Sequence, residues 1–171
     1  MKYYKDIFAI VEPFLYLGGN FLNKNPHLIC HLGFTHVINI ADTVCPNEDL
    51  LCYLRYYKYI PAEDKEDYNI RYHFEEAFQV IDHARLTNGK ILVHCKKGKS
   101  RSATIIIAYL MSRYNLSYHQ AYQYVQSRKS NINPNDYFIR LLCEYDKELK
   151  GDNLTKRSHL WTQHNLFGSI F

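Results

Sequence analysis

The sequence predicts an α/β fold: a central, mostly parallel sheet flanked by helices, with a helical C-terminal half. Three observations carry that expectation. Lys90-Ile91-Leu92-Val93-His94 is apolar on consecutive positions, as strands are when both faces of a sheet are covered. Asn69 to Leu86 places Ile70, Phe74, Ala77, Phe78, Ile81 and Arg85 at i, i+4, i+7 and i+8 spacing, the signature of an amphipathic helix. Arg101 to Tyr114 is apolar nearly all round, which reads as a central buried helix rather than a surface one. Strands that alternate with helices and then give way to helices make a sheet with helices packed on it.

The remaining elements follow in chain order. Ile7 to Val11 and Phe14 to Leu17 read as short strands around Pro13, ending at Gly18-Gly19. Asn20 to Leu32 holds a short helix, limited by Pro26 and stopped by Gly33. Thr35 to Ile40 is a β-branched run suited to a buried strand, and Arg55 to Ile60 is another, ended by Pro61. Asn88-Gly89 ends the long helix. Ser117 and Gln120 form a capping box for a helix reaching about Lys129, with Leu116 placed to staple onto Ala121. Asn133-Pro134-Asn135 opens a last helix to about Lys150, with Pro134 expected in its first turn. One domain over residues 1–150 is expected. The tail 151–171, polar and basic with scattered Trp161, Leu166, Phe167 and Phe171, reads as a poorly ordered end.

Composition narrows the function classes. The 171 residues are 47% apolar and 22% charged, ordinary for a soluble globular chain. A net charge of +4 is too mild to argue for nucleic acid, and no apolar run is long enough to span a bilayer. The Tyr53 to Tyr59 stretch lacks interleaved basic residues on one face and reads as a strand rather than a base-stacking platform. The start lacks the apolar stretch of a secretory signal, and neither terminus carries a lipidation box. Five cysteines (30, 45, 52, 95 and 143) form an odd set without CxxC or zinc spacing, as expected of reduced thiols in a cytoplasmic or nuclear compartment. Cys30, Cys52 and Cys143 are expected in the core. The histidines show no metal-ligand spacing. Nothing fixes an oligomeric state.

The chemistry concentrates in His94-Cys95-Lys96-Lys97-Gly98-Lys99-Ser100-Arg101-Ser102. A strand ending at His94 and a helix starting near Arg101 force the backbone between them to curl, and Gly98 permits the turn. A tight curl aims successive N–H groups inward, and the helix adds its positive N-terminal end. Together they form an anion site matched to phosphate oxygens. A cysteine sulfur at the base of that site is favoured as the thiolate nucleophile. Arg101 can grip two phosphate oxygens with one planar guanidinium and stabilise charge on a transferring phosphoryl group. The Ser102 hydroxyl can hydrogen-bond the sulfur and help it leave. His94 is expected to orient the loop through backbone hydrogen bonds rather than act as a base. A buried structural cysteine is the plainer alternative, but it accounts for neither the arginine spacing nor the hydroxyl after it.

These residues, with Ala103-Thr104 and Ile107-Ala108-Tyr109-Leu110-Met111, resemble the dual-specificity branch of the cysteine-based protein tyrosine phosphatase superfamily. The resemblance covers most of residues 7–150. Phe14-Leu15-Tyr16-Leu17-Gly18, Val37-Ile38-Asn39, Cys45-Pro46-Asn47 and Ile132-Asn133-Pro134-Asn135 support it less specifically. It implies a protein tyrosine phosphatase-like fold and a two-step reaction with no cofactor or metal. The thiolate attacks phosphorus, and water then hydrolyses the phosphocysteine. It also implies an aspartate acting first as general acid and then as base, from the loop before the long helix. Asp64 is the best match within Pro61-Ala62-Glu63-Asp64-Lys65-Glu66-Asp67, with Glu63, Glu66 and Asp67 as the neighbouring alternatives.

The implied substrates are phosphotyrosine and phosphoserine/threonine on proteins, since the chain has no room for the larger catalytic domain of phosphotyrosine-only members and no evident counterpart of the loop that deepens their pocket. Lys96, Lys97 and Lys99 open a second reading, because lysines at the first and fourth loop positions resemble those of phosphoinositide 3-phosphatases. The basic loop is also similar to that of the mitochondrial phosphatidylglycerophosphate phosphatase. The alternative is therefore a phosphoinositide or other phospholipid-headgroup phosphatase, against the plainer reading that the lysines face solvent. A non-catalytic phosphoprotein-binding module fits less well, since Cys95, Arg101 and Asp64 are all present. An RNA 5′-triphosphatase fits poorly, because Thr-Gly does not follow Arg101. Cys45 resembles the partner that some family members use for a protective disulfide with the nucleophile, here Cys95. Asn135 is expected to fix loop geometry near the site.

Overall fold

In the structure, a computed structural model, residues 6–44 and 48–156 are described. Cys45-Pro46-Asn47, and with them the suggested Cys45–Cys95 pairing, lie outside the described residues.

Among the described residues five strands form one sheet: β1 (Ile7–Val11), β2 (Leu15–Gly18), β3 (His36–Asn39), β4 (Tyr56–Tyr59) and β5 (Ile91–His94). The order is β1-β2-β5-β3-β4. Only the β1–β2 pair is antiparallel; β5 runs parallel to both β2 and β3, and β3 parallel to β4. The central place of β5 accounts for its unbroken apolar run, because both faces are covered. Ile91 and Val93 join Leu15, Leu17 and Ile38 in the larger cluster, while Leu92 joins Val37, Ile29, Phe34 and Leu50 in a smaller one.

Short helices contribute to that smaller cluster. The segment expected to hold one helix holds two, α1 (Phe21–Lys24) and α2 (His27–His31). Pro26 explains the break, since it lacks an N–H and disfavours helical geometry in the residue before it. A further turn, α3 (Glu48–Leu51), has no clear sequence signal and buries Leu50.

The larger face carries α4 (Phe74–Leu86), α5 (Arg101–Tyr114), α6 (Tyr118–Arg128) and α7 (Asp136–Lys156). The expected helix from Asn69 begins instead as a 3-10 turn, Ile70–His73, which passes into α4. Every residue of α5 from Arg101 to Met111 is buried. Its N-cap, Ser100, makes no side-chain cap bond. A missing cap costs about 1 kcal/mol. Each buried Ile or Leu of α5 contributes roughly 2 kcal/mol, so packing places the helix despite the idle cap. The Ser117–Gln120 capping box forms as expected, and Leu116 packs on the cluster that contains Ala121.

Three expectations are corrected. Pro134 is not in the first turn of α7. Asn135 caps that helix, with its Oδ1 accepting from Phe138 N at 2.9 Å and its carbonyl from Ile139 N at 3.0 Å. The helix runs past the expected stop at Lys150 to Lys156. An exposed glycine such as Gly151 costs a helix only about 1 kcal/mol and need not end it; residues 157–171 lie outside the described residues. Finally, Cys52 is exposed and Cys143 half-buried rather than core. Cys52 follows the short α3, and Cys143 lies on the partly solvated side of α7. No helix among the described residues is long and apolar enough to cross a membrane.

Candidate active site

Parallel strands β5 and β3 end at the same edge of the sheet, and the loop Cys95–Arg101 rises there between β5 and α5. Its curl is set by close backbone packing. Gly98 has φ +65°, and a Cβ there would stand 2.6 Å from the Gly18 carbonyl carbon, so glycine is required on both counts. Outward-turned carbonyls anchor the loop: Lys96 O accepts from Asn20 N, Lys99 O from Asn133 N at 2.8 Å, and Ser100 O from Thr104 N at 2.8 Å. Because a trans peptide points its N–H opposite to the preceding C=O, these anchors turn the N–H groups of Lys97, Ser100 and Arg101 towards the concave side. The result is an anion cradle at a helix N-terminus.

The concavity has a volume of about 320 Å³ and is lined by Asp64, Cys95, Lys96, Lys97, Lys99, Ser100, Arg101 and Asn133. Cys95 lies at its base with 2% of its surface exposed. Ser102, fully buried, donates from Oγ to Cys95 Sγ at 3.2 Å. Lys96, Lys97 and Lys99 are exposed around the mouth. His94 is buried, and its Nδ1 donates to the Cys95 carbonyl at 3.3 Å. A carbonyl can only accept, so the proton sits on Nδ1. Burial pushes His94 down to about 4, which keeps the ring neutral, and it shapes the loop as expected.

Arg101 is held by partners that sequence reasoning missed. Its Nη1 donates to Asp42 Oδ1 at 2.5 Å and to the Ala62 carbonyl at 2.8 Å. Its Nε is buried and has no hydrogen-bond partner among the described residues, leaving a donor for an anion in the cradle. The signal for Asp42 was its position just past β3, at the strand-end edge where α/β sheets gather ligands.

Of the four acidic residues in the loop after β4, the structure brings Asp64 to the pocket. Its Oδ1 accepts from Ser100 Oγ at 2.7 Å and from Asn135 Nδ2 at 3.0 Å, while Oδ2 lies 3.7 Å from Arg101 Nε. Glu63 pairs with Lys65, and Glu66 and Asp67 face solvent. Behind the loop, Lys129 is 2% exposed, with Nζ bonded to Asn131 Oδ1 at 2.5 Å and 4.6 Å from the Phe8 ring centre. Burial pushes its ammonium below the usual value, opposed by Asp6.

A thiol under a ring of inward N–H groups, a buried arginine with a spare donor and a carboxyl at the rim can together transfer a phosphoryl group. The sequence profile of the dual specificity phosphatase catalytic domain matches residues 15–148, spanning every one of these groups. The chain belongs to that family. Dual specificity protein phosphatase 1 of Arabidopsis thaliana is 35% identical over 144 residues, covering 83% of this chain and 70% of the relative. Human dual specificity protein phosphatase 5 is 37% identical over 139 residues, 81% of this chain but only 35% of that protein. Among solved structures, human tyrosine phosphatase-like serine/threonine/tyrosine-interacting protein superposes with a TM-score of 0.73 at 32% identity, covering 83% of this chain and 96% of that one.

Proposed function

We propose that this dual-specificity phosphatase domain hydrolyses phosphotyrosine and phosphoserine/threonine on proteins through a phosphocysteine intermediate at Cys95. The observation that carries the reading is the convergence of Cys95 Sγ, its Ser102 Oγ donor and Arg101 Nε, which has no hydrogen-bond partner among the described residues, on one cradle. Bound phosphate takes the loop N–H groups and Arg101 Nε, which places phosphorus above Sγ. In the first step the S–P bond forms, the bond from phosphorus to the leaving oxygen breaks, and Asp64 gives that oxygen its proton. In the second, Asp64 takes a proton from water as the new O–P bond forms, and the thiolate leaves with the Ser102 hydrogen bond to stabilise it.

Breadth follows from the lining. None of the described residues that line the pocket is aromatic, so none of them selects phosphotyrosine over an alkyl phosphate by stacking on its ring. Lys96, Lys97 and Lys99 raise the potential around the mouth for any phosphorylated protein. The free thiols Cys52, Cys95 and Cys143 support a reducing compartment, cytoplasmic or nuclear.

The test compares kcat/KM on phosphotyrosine and phosphothreonine peptides and on a soluble phosphoinositide. Hydrolysis of both peptides is expected. Turnover of the phosphotyrosine peptide alone would contradict dual specificity, and a strong preference for the phosphoinositide would contradict the protein assignment.

A further inference from the structure

Ser100 occupies the N-cap of α5 yet gives that helix no side-chain bond. Serine at an N-cap ordinarily accepts from an N–H of the first turn. Here its hydroxyl is turned away and donates to Asp64 Oδ1 at 2.7 Å. Asn135 approaches the same oxygen from the other side, with Nδ2 at 3.0 Å. The orientation of that amide is fixed by the other end of the group. Asn135 Oδ1 accepts from Phe138 N at the start of α7, and a backbone N–H requires an acceptor, so the NH₂ end must face Asp64. One asparagine thus caps a helix and grips a carboxylate on the preceding loop.

Two donors on one carboxylate oxygen leave the two oxygens unequal. Oδ1 has its lone pairs engaged, and a proton there would confront the Asn135 NH₂, which cannot accept. Among the described residues Oδ2 has no such donor within hydrogen-bond distance; Arg101 Nε, which also lines the pocket, lies 3.7 Å from it. We propose that Ser100 and Asn135 are positioning residues that lock the Asp64 carboxyl so that Oδ2 alone carries the proton exchanged with the leaving group and with water. The inference rests on Asp64 being the acid of the proposed reaction. It also ties three elements together at the moment of reaction: the loop before the 3-10 turn, the Cys95–Arg101 loop and the cap of α7. Asp64 stands on a segment whose own side chain is about a third exposed, so without the two donors its carboxyl would be free to rotate.

A series of aryl monophosphates with leaving phenols of rising basicity tests this. A poor leaving group needs the proton; p-nitrophenol scarcely does. Ser100→Ala and Asn135→Ser are compared with Asp64→Asn, and each is also built into the Asp64→Asn background. Asn135→Ser retains a capping hydroxyl for Phe138 N but cannot reach Asp64, which separates the grip from the cap. Ser100→Thr keeps the hydroxyl and serves as the conservative variant. Each single variant is expected to lose about tenfold in kcat/KM on phenyl phosphate, within the range a misplaced catalytic group produces. On p-nitrophenyl phosphate it should lose little, and Ser100→Thr should recover most of the loss. In the Asp64→Asn background neither substitution should lower the rate further. A loss of equal size on every leaving group, or one that persists in that background, would overturn the positioning role while leaving Asp64 as the acid. If Asp64→Asn itself shows no dependence on the leaving group, the acid assignment falls and this inference falls with it.

Discussion

Arg101 Nη1 and Asp42 Oδ1 lie 2.5 Å apart, so the guanidinium is fixed in place before any anion arrives. The two residues come from neighbouring strand ends, Asp42 past β3 and Arg101 past β5, and the Ala62 carbonyl receives the same nitrogen at 2.8 Å. The arginine therefore presents Nε to the cradle without having to be ordered by the substrate.

Asp42→Ala should release that orientation. We expect kcat/KM on p-nitrophenyl phosphate to fall on the order of ten- to a hundredfold, the scale of a misplaced catalytic group. Asp42→Asn, which can still accept from Nη1, should lose less. Steady-state kinetics on both variants decides the matter, and equal rates for wild type and Asp42→Ala would show that the anchor is dispensable.

Ser102 should matter most in the second step. Its hydroxyl donates to Sγ at 3.2 Å, and in the proposed reaction that bond would stabilise the thiolate as it departs from phosphorus. Ser102→Ala is expected to lower kcat by about a hundredfold, as the loss of one aimed donor does elsewhere. The phosphoenzyme should then accumulate. Stopped-flow traces should show a burst of p-nitrophenol followed by slow turnover; a slow reaction without a burst would place the effect in the first step instead.

His94 predicts a pH dependence of stability. Burial lowers its folded value to about 4, below the ordinary 6.5. Above about pH 6.5 the ring is neutral in both states and contributes no slope. As pH falls towards 4, the unfolded chain takes up a proton that the folded one refuses, so stability falls by up to about 1.4 kcal/mol per pH unit. His36, also lowered chiefly by burial, adds in the same direction. Urea melts between pH 7.5 and 5 should therefore show a steeper loss for wild type than for His94→Asn. Parallel curves would contradict it.

The local parts of this site were legible and the distant parts were not. Cys95, Gly98, Arg101 and Ser102 sit within eight residues, where strand, turn and helix signals constrain one another, and the buried α5 was read from its unbroken apolar surface. The Ser117–Gln120 capping box is similarly local. Asp42 was missed because its partner lies 59 residues away, and its place just past β3 marks the edge where ligands gather without naming which residue there binds. The Ser100–Asp64 contact spans 36 residues and hides behind a more familiar expectation, that serine before a helix caps it. Asn135 was expected to fix local geometry, which it does; only the fold shows that its amide also reaches Asp64, 71 residues back. The errors at Pro26 and Gly151 concern boundaries, where the cost of one residue is weighed against packing that a sequence does not display.

The central claim is that Cys95 takes the phosphoryl group, and the most direct measurement is mass spectrometry of enzyme quenched in acid during turnover of p-nitrophenyl phosphate. One phosphoryl adduct, localised to Cys95, is expected in wild type and more abundantly in Ser102→Ala. Neither adduct nor turnover is expected in a folded Cys95→Ser variant. An adduct on another residue, or undiminished turnover in Cys95→Ser, would contradict the claim.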